Sequence, residues 1–439
     1  MTFVRLWPLA AVLVLASSFA QTPAPLANKS AAPPSEVAGI PVNYDEAKVG
    51  SYTLPDPLAL AGGKRVRDAV TWNEQRRPEI LRLLEQNEYG RAPGRPSEMT
   101  FDVFDQGSPA MGGKAIRKQV TIYFTSDKDG PKEDLVLYVP AAAVKPVPIL
   151  FTINFSPNAA IFDDPDVKLG EMWGRDRKKA PAQRGRGLGR LNIDELLAKG
   201  FGVAGVYYGD IDPDFPGGVL FGIRARYLKP GQSEPGPDEW GAISAWGWGM
   251  SRAMDYFETD KSVDAKRVAI YGVSRLGKTV MWAGSRDNRF AMVIASCSGE
   301  GGAALSRRNY GETIAHLTAP TRYPYQFAAN YARFARDVNS LPVDAHMLIA
   351  LMAPRPVFLQ TGDGDRWSDP SGEFLAAVAA DPVYRLLGKK GLATTEMPAA
   401  GQTVGDTIGY RMHAGGHGTL GGDWEHFAAF MEKHLNPRR

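Results

Sequence analysis

The sequence has little cysteine, little excess charge and no internal repeat. Cys297 is the only cysteine among 439 residues, so no disulfide bond can form within the chain. The 51 Lys and Arg residues nearly balance the 48 Asp and Glu residues, and the net charge of +3 is too small to indicate a nucleic-acid partner. Without a repeat, a solenoid or propeller is excluded. The fold must therefore rest on its hydrophobic core.

Long hydrophobic runs are also absent. The apolar run at residues 9–16 is shorter than the roughly 18 residues that a membrane-spanning helix needs, and no later stretch reaches that length. Arg5 precedes this run and the small residues of Ser-Ser-Phe-Ala follow it, which is the pattern of an export signal. We predict a signal peptide over residues 1–20. The mature protein is then expected in the periplasm or outside the cell, without a membrane span.

The remaining composition is that of a globular enzyme. Hydrophobic residues make up 44% of the chain, and 47 Gly with 33 Pro indicate many turns. Residues 21–42 are rich in Ala and Pro and are predicted to form a tether, because such a segment buries too little surface to become ordered. No second low-complexity segment follows. Residues 43–439 are therefore predicted to form one domain, and we expect a monomer.

Short β-rich runs alternate with helical patterns along this domain. Residues 118–124 and 134–139 predict a hairpin pair. Further strands are predicted at residues 147–154, 202–208, 267–271, 290–296 and 356–361. Helices are predicted at residues 191–199, 239–258, 276–284 and 425–435. This alternation implies right-handed crossovers and a mostly parallel sheet with helices on both faces, so the predicted fold class is α/β.

Residues 267–279 predict a strand that passes through a tight turn into a helix. One interpretation is a phosphate-binding P-loop, whose spacing is satisfied by Gly272, Gly277, Lys278 and Thr279. A P-loop wraps backbone around phosphates and favours glycine within the loop, whereas residues 273–276 are Val, Ser, Arg and Leu. The alternative is a nucleophile elbow that exposes the Ser274 hydroxyl at the carboxyl end of the sheet. The elbow is favoured because a histidine and an acid follow in the expected order.

Two histidines near the end of the chain are candidates for the general base. His413 and His417 lie in the glycine-rich run at residues 413–419, just before the last predicted helix. A flexible loop there can bring an imidazole over the edge of the sheet, where it can accept and return a proton. Glycine flanks His417 closely on both sides, so His417 is favoured over His413.

The acid candidates lie in one loop that directly follows a predicted strand. A carboxylate there can fix the tautomer of the histidine and stabilise the imidazolium. Asp363, Asp365 and Asp369 all compete for this role, although Gly-Asp pairs are also common in turns. We favour Asp365, with Asp363 second.

Several ordered motifs resemble the glucuronoyl esterases of carbohydrate esterase family 15. The resemblance covers nearly all of the mature chain and is densest over residues 239–308, where it includes Gly-Val-Ser-Arg-Leu-Gly-Lys and Ser-Gly-Glu-Gly-Gly-Ala-Ala-Leu-Ser-Arg-Arg. It continues through residues 309–313, 365–370 and 415–418. The resemblance implies an α/β-hydrolase three-layer sandwich with N-terminal antiparallel strands. It also implies hydrolysis of esters between glucuronic acid on xylan, often 4-O-methylated, and lignin alcohols.

The same resemblance implies roles for individual residues. Ser274 matches the nucleophile, His417 the base, and Arg275 the arginine whose side chain and backbone N–H form the oxyanion hole. Lys278, Glu312 and Trp367 match residues that contact the sugar. Many members carry the acid of the triad where this chain has Cys297, and others carry an aspartate in the later loop, which favours Asp365. Glu300 is a weaker substitute for that acid.

The resemblance implies acyl transfer through an acyl-enzyme, with glucuronoxylan and lignin–carbohydrate esters as substrates and with neither a metal nor another cofactor. The basic loop at residues 175–190 would suit acidic surroundings, although such a run is usually solvated surface. The alternatives are another carbohydrate esterase, such as an acetyl xylan esterase, and a polysaccharide-binding protein without catalysis.

Overall fold

The computed structural model describes residues 33–187 and 191–435. The predicted signal peptide, the first part of the predicted tether and Arg190 of the basic loop lie outside these residues. The strands are β1 (Glu36–Val37), β2 (Ile40–Pro41), β3 (Thr100–Ala110), β4 (Ala115–Tyr123), β5 (Lys132–Pro140), β6 (Val147–Asn154), β7 (Glu171–Trp173), β8 (Lys179–Pro181), β9 (Gly202–Tyr207), β10 (Val263–Val273), β11 (Phe290–Ser296), β12 (Val357–Gly362), β13 (Thr403–Gly405) and β14 (Ile408–His413). The α-helices are α1 (Ala69–Thr71), α2 (Arg77–Leu84), α3 (Asn158–Ile161), α4 (Ile193–Ala198), α5 (Tyr208–Ile211), α6 (Ala242–Phe257), α7 (Arg275–Arg286), α8 (Ile314–Thr318), α9 (Ala345–Ala350), α10 (Pro370–Leu386) and α11 (Asp423–Leu435).

One sheet of 10 strands organises the domain, in the order β13-β14-β12-β11-β10-β6-β9-β5-β4-β3. The strands from β14 to β9 in this order run parallel to one another. Antiparallel pairing occurs at both ends, between β13 and β14 and among β9, β5, β4 and β3. The prediction of a mostly parallel α/β-hydrolase sheet with N-terminal antiparallel strands is therefore confirmed.

Helices cover both faces of this sheet. Because side chains alternate along each strand, the same strand contributes residues to a hydrophobic core on each face. In β10, Val268 and Ile270 pack in a core with residues of α6, α7, α9 and α10. Ala269 and Tyr271 pack in the opposite core with residues of α4 and α11. All residues of β6, β9 and β12 are buried, as expected for strands covered on both faces. No helix among the described residues has the length and hydropathy needed to cross a membrane.

The structure agrees with the predicted elements where the hydrophobic pattern is strong. The predicted hairpin corresponds to β4 and β5, which pair antiparallel, and the strand predicted at residues 147–154 coincides with β6. The sequence analysis missed β3 and α10. β3 is an edge strand in which most residues are exposed or half-buried, and α10 contains Pro382, so both lack the usual signals.

Part of the predicted tether is folded against the domain. Residues 36–41 form a small antiparallel pair of strands, β1 and β2. The carbonyl oxygen of Ile40 lies 3.3 Å from Nε2 of His316. Directly after the predicted tether, Nδ2 of Asn43 donates a hydrogen bond to the carbonyl oxygen of Asn309 at 2.5 Å. Residues 36–41 of the predicted tether thus form regular structure that contacts the domain.

Candidate active site

Ser274 is the single residue between β10 and α7. Its backbone angles, φ 59° and ψ −127°, are unfavourable for a residue with a side chain, and such strain is typical of functional turns. The backbone N–H of Ser274 donates a hydrogen bond to the carbonyl oxygen of Ser296 at 2.8 Å. The side chain forms no capping hydrogen bond with α7, although serine is a preferred N-cap residue. The hydroxyl is therefore available at the carboxyl edge of the sheet.

Two glycines allow the strand and helix to approach closely around this turn. A Cβ atom on Gly272 would lie 2.2 Å from the carbonyl oxygen of Leu276, and one on Gly277 would lie 2.9 Å from that of Ser296. Because only one residue separates strand from helix, no stretch of loop backbone remains to surround phosphates. The geometry favours the elbow over the P-loop.

His417 and Asp365 form a hydrogen-bonded pair beside the elbow. Nδ1 of His417 lies 2.8 Å from Oδ2 of Asp365, and the Ser368 hydroxyl lies 3.4 Å from the same nitrogen. Asp365 is buried, which by itself opposes ionisation, but the charge of His417 and their hydrogen bond outweigh burial and lower the pKa of Asp365. Asp365 can therefore remain an anion against the imidazole, as a triad acid must.

The other acid candidates have different partners. Asp363 accepts a hydrogen bond from the backbone N–H of Gly415 at 2.7 Å. Asp369 caps α10 and is ion-paired with Arg308 at 2.8 Å. Glu300 accepts hydrogen bonds from Ser306 and Tyr331, and burial raises its pKa to about 8. Asp365 alone of these four acids is hydrogen-bonded to His417.

The second histidine, His413, is engaged in the loop itself. Its Nδ1 lies 2.7 Å from Oδ2 of Asp423, and its Nε2 lies 2.9 Å from the carbonyl oxygen of Gly416. Both ring nitrogens are therefore occupied. His413 supports the loop that carries His417.

A cavity of about 800 Å³ brings the predicted site residues together. Its lining includes all seven of them: Ser274, Arg275, Lys278, Glu312, Asp365, Trp367 and His417. Ser274 lies at the junction of β10 and α7, and Arg275 and Lys278 lie in α7. Glu312 lies just before α8, and the remaining residues lie in the loops that follow β12 and β14. Catalytic sites of parallel α/β sheets lie at the carboxyl ends of their strands, and this cavity follows that rule.

Arg275 is held at the cavity by an aspartate that the sequence analysis did not select. Its Nη1 is ion-paired with Oδ2 of Asp214, and its guanidinium lies 4.8 Å from the ring centroid of Tyr323. Tyr325 and Gln326 donate hydrogen bonds to the other oxygen of Asp214 at 3.0 and 2.7 Å. Burial lowers the pKa of Arg275, but Asp214 more than compensates and raises it. Arg275 is thus a fixed cation next to Ser274.

Lys278, Glu312 and Arg322 form a chain of charges in the wall of the cavity. Nζ of Lys278 lies 3.2 Å from one oxygen of Glu312, and Arg322 lies 3.1 Å from the other. The guanidinium of Arg322 also lies 5.6 Å from the ring centroid of Trp367, whose carbonyl oxygen accepts a hydrogen bond from the backbone N–H of Glu312. Charged donors and acceptors beside an indole ring are well suited to bind a sugar.

Two further residues of the site, Asp214 and Arg322, are not indicated by the sequence motifs. Asp214 ends the run Asp-Ile-Asp-Pro-Asp, which is typical of a turn. Arg322 opens Arg-Tyr-Pro-Tyr-Gln at residues 322–326, where aromatic and hydrogen-bonding side chains alternate. This alternation is the sequence signal that could have indicated contact between residues 322–326 and a ligand.

Among the described residues, one group of three potential metal-binding side chains is close together. Ligand atoms of Cys297, Asp365 and His417 lie within 4.8 Å of one another. Burial, together with the charges of Asp365 and Glu373, raises the pKa of Cys297 well above its usual range, so the thiol stays protonated. Within this group, Nδ1 of His417 lies 2.8 Å from Asp365, and this pair can take part in proton transfer.

The basic loop includes the turn between β7 and β8 and the segment that follows. Its described cations are exposed, and none of them lines the cavity of Ser274. Nζ of Lys179 lies 5.2 Å from the ring centroid of Trp173, and the guanidinium of Arg177 lies 5.8 Å from that of Phe215. Attraction of acidic polymers by this loop stays a prediction.

Comparison with known proteins shows close relatives over nearly the whole chain. The sequence model of the fungal glucuronyl esterases matches residues 236–388. A carbohydrate esterase from an unknown prokaryotic organism is 46% identical over 90% of this chain and 92% of its own. A 4-O-methyl-glucuronoyl methylesterase from Podospora anserina is 26% identical over 72% of this chain and 56% of its own.

Solved structures agree with these matches. A glucuronoyl esterase from Solibacter usitatus is 48% identical, with a TM-score of 0.86 over 89% of this chain and 100% of its own. A CE15 esterase from a marine bacterial metagenome, described as promiscuous, is 45% identical, with a TM-score of 0.83 over 90% of this chain and 100% of its own. The chain therefore belongs to the glucuronoyl esterases of carbohydrate esterase family 15, which are carboxylic ester hydrolases.

Proposed function

We propose that this protein is an exported serine esterase that hydrolyses esters between (4-O-methyl-)glucuronic acid on xylan and lignin alcohols. One observation carries the mechanism: the elbow residue Ser274 and the hydrogen-bonded pair His417–Asp365 line the same cavity. The names of the relatives support the glucuronoyl group. The N-terminal sequence pattern supports export into the periplasm or the medium.

In the first step, Ser274 attacks the carbonyl carbon of the uronate ester. Because Nδ1 of His417 is hydrogen-bonded to Asp365, Nε2 is the nitrogen left to accept the proton of Ser274. The lowered pKa of Asp365 keeps its carboxylate ionised, and this charge stabilises the imidazolium that forms. His417 then returns the proton to the departing alcohol, and an acyl-enzyme remains.

The negative charge on the carbonyl oxygen needs donors that are already in place. The backbone N–H of Arg275 lies in the first turn of α7, where N–H groups have no partner within the helix. The guanidinium of Arg275 adds a cation whose position Asp214 fixes. Such preorganised groups commonly contribute several kcal/mol to a reaction of this kind.

In the second step, His417 accepts a proton from water, which attacks the acyl-enzyme. His417 then returns the proton to Oγ of Ser274 as the bond between Ser274 and the acyl group breaks, and the uronic acid is released. The sugar belongs to the acyl group, so Lys278, Glu312 and Trp367 would bind it in both steps. The reaction needs neither a metal nor another cofactor, because each proton and charge is handled by a side chain named above. The alcohol leaves in the first step, when the acyl-enzyme forms.

The direct test is hydrolysis of a panel of esters that differ in their acyl group. Methyl and benzyl glucuronate, the matched methyl galacturonate and an acetylated xylan should be incubated with the wild type, with Ser274→Ala and with Ser51→Ala, an exposed control. Glucuronate esters should be turned over fastest, and only Ser274→Ala should lose activity, by about 10⁴-fold or more. Retained activity in Ser274→Ala would contradict the assigned nucleophile.

A second candidate function, hydrolysis of acetyl esters on xylan, is considered because one structural relative is described as promiscuous. If acetylated xylan is preferred over the glucuronate esters, the protein is better described as an acetyl xylan esterase with the same catalytic residues. If xylan binds and no ester is cleaved, it is a binding protein.

A further inference from the structure

A second cavity, of about 280 Å³, lies at the opposite end of α7 from Ser274. It is lined by residues of α6, α7 and two neighbouring loops, and four of its side chains are arginines: Arg95, Arg252, Arg286 and Arg289. We call it the arginine cavity. The two cavities share no lining residue; along α7, Lys278 of the catalytic cavity and Trp282 of the arginine cavity are four residues apart, about 6 Å at 1.5 Å per residue. The arginine cavity is therefore distinct from the catalytic one.

Arg252 is the most buried of these arginines, with 6% of its surface exposed. Its guanidinium lies 5.1 Å from the ring centroid of Trp248, which also lines the cavity. Nε of Arg252 is 2.9 Å from Oδ2 of Asp255, but the two groups are not aligned as a hydrogen bond. Within the described residues, the guanidinium donates no hydrogen bond to the protein. The charge of Arg252 is thus compensated mainly by Asp255, with smaller contributions from Asp287 and Glu133, while its N–H donors have no aligned hydrogen-bond partner in the described part of the protein.

Arg286 and Arg289 differ sharply in how their donors are used. Nη1 of Arg286 is 3.1 Å from a carboxylate oxygen of Glu85 and also lacks an aligned hydrogen bond. Arg289, in contrast, is hydrogen-bonded to three carboxylates, those of Asp255, Glu258 and Asp287. Arg289 therefore occupies part of the hydrogen-bonding capacity of these carboxylates, whereas Nε of Arg252 and Nη1 of Arg286 have no hydrogen-bond partner among the described residues.

Leaving such donors unpaired costs free energy. Burial lowers the pKa of Arg252, yet a guanidinium does not lose its proton in a protein, so the charge persists. A buried charge is normally satisfied by several hydrogen bonds. The planar fork of a guanidinium matches the paired oxygens of a carboxylate or a phosphate group.

We propose that the arginine cavity binds an oxyanion through Arg252 and Arg286. The cavity is near the lower end of small-molecule pockets in size, so the ligand has about the size of phosphate, sulfate or one uronic acid residue. The shared chemistry is two or more anionic oxygens that accept hydrogen bonds from guanidinium groups. The source is either a free inorganic anion or the carboxylate of an acidic sugar.

The test is calorimetric titration of the full-length protein at low ionic strength with phosphate, sulfate, D-glucuronate and, as a neutral control, D-glucose. Variants are Arg252→Gln and Arg286→Gln in the cavity, with Arg82→Gln, an exposed position on α2, as the matched control. At least one anion should bind to the wild type and to Arg82→Gln, and glucose should not. Each cavity variant should weaken that binding by 10-fold or more.

Preference for glucuronate would identify an acidic sugar as the ligand, and preference for phosphate or sulfate an inorganic anion. Lys278→Met tests whether the anion occupies the catalytic cavity instead. Loss of binding in Lys278→Met but not in the arginine variants would overturn the proposal, as would the absence of anion binding to the wild type. If Arg252→Gln does not fold, the effect of Arg286→Gln on anion binding tests the proposal, because the more exposed Arg286 can be replaced with less risk to folding. None of these readouts depends on ester hydrolysis.

Discussion

Arg275 is ion-paired with Asp214, a residue 61 positions earlier in the chain. Asp214 is itself fixed by Tyr325 and Gln326, so the guanidinium beside Ser274 is held by a small buried network rather than by solvent. Asp214 does not belong to the elbow and is not expected to touch the ester. In the proposed mechanism, Asp214 acts on the reaction by positioning Arg275.

The first prediction concerns this positioning. Asp214→Asn keeps the size of the side chain but removes the charge that orients Arg275, so we expect kcat on methyl glucuronate to fall by about 10- to 100-fold. KM should change much less, because Arg275 stabilises mainly the negative charge that develops on the carbonyl oxygen in the transition state. Asp166→Asn, at an exposed aspartate, is the control. A rise in KM with unchanged kcat would contradict a positioning role.

The second prediction concerns Asp365, the proposed acid of the triad. Asp365→Asn should lower kcat by about 10³- to 10⁴-fold, because the amide cannot stabilise the imidazolium of His417. Asp363→Asn and Glu300→Gln should each have small effects, since neither carboxylate contacts His417 and Glu300, with a pKa raised to about 8, is largely neutral at pH 7. Collapse of kcat in either of these two variants, with Asp365→Asn active, would reject the assignment.

The third prediction follows from the pair His413–Asp423. Burial opposes the charge of His413, but Asp423 outweighs it and raises the pKa of His413 above 6.5 in the folded protein. The folded state therefore binds the proton more tightly, and this stabilisation is complete below about pH 6.5 and is lost as the pH rises through the folded pKa. His413→Gln should lower the Tm more at pH 6 than at pH 9, as measured by differential scanning calorimetry.

His434 provides a control, because its pKa is shifted in the opposite direction to that of His413. Burial lowers the pKa of His434, so its neutral form is favoured in the folded state and stability is lost as the pH falls. His434→Gln should therefore raise the Tm at pH 5 relative to the wild type more than at pH 8. The same trend with pH in both variants would contradict these assignments.

The fourth prediction separates sugar binding from chemistry. Glu312→Gln removes the carboxylate that Lys278 and Arg322 share, so the donors proposed to bind the sugar should lose their orientation. KM for methyl glucuronate should rise by about 10-fold, which corresponds to ~1.4 kcal/mol, with a smaller change in kcat. Glu234→Gln, at an exposed position, should leave both constants unchanged. A fall in kcat alone would place Glu312 in the chemical step.

The fifth prediction concerns the elbow. Gly272→Ala would place a Cβ atom 2.2 Å from a backbone oxygen that cannot move without displacing α7. We expect ~3 kcal/mol or more of lost stability in urea unfolding, or failure to fold. Gly62→Ala, where no atom lies within 4 Å, should unfold like the wild type. Equal stability of the two variants would contradict the close strand–helix contact.

The choice among the acids illustrates the limit of sequence reasoning. Asp363, Asp365 and Asp369 lie within seven residues of one loop, and each is a reasonable turn residue. The structure separates them by their partners, because Asp363 contacts the loop after β14, Asp369 caps α10 and Asp365 contacts His417. Charge and spacing along the loop carry no information about which carboxylate points toward a distant histidine.

The choice of an elbow over a P-loop rested on the later histidine and acid as well as on residues 273–276. The α/β class and the strand–turn–helix pattern around Ser274 follow from the sequence alone, because they are set by neighbours within a few positions. The hydrophobic pattern and the glycines at 272 and 277 are local signals of this kind. Only the tertiary structure decided the pairing of His417 with Asp365, across 52 residues, and of Arg275 with Asp214. Such contacts depend on how the strands of the whole sheet are ordered, and that order follows from packing both faces at once rather than from any one segment.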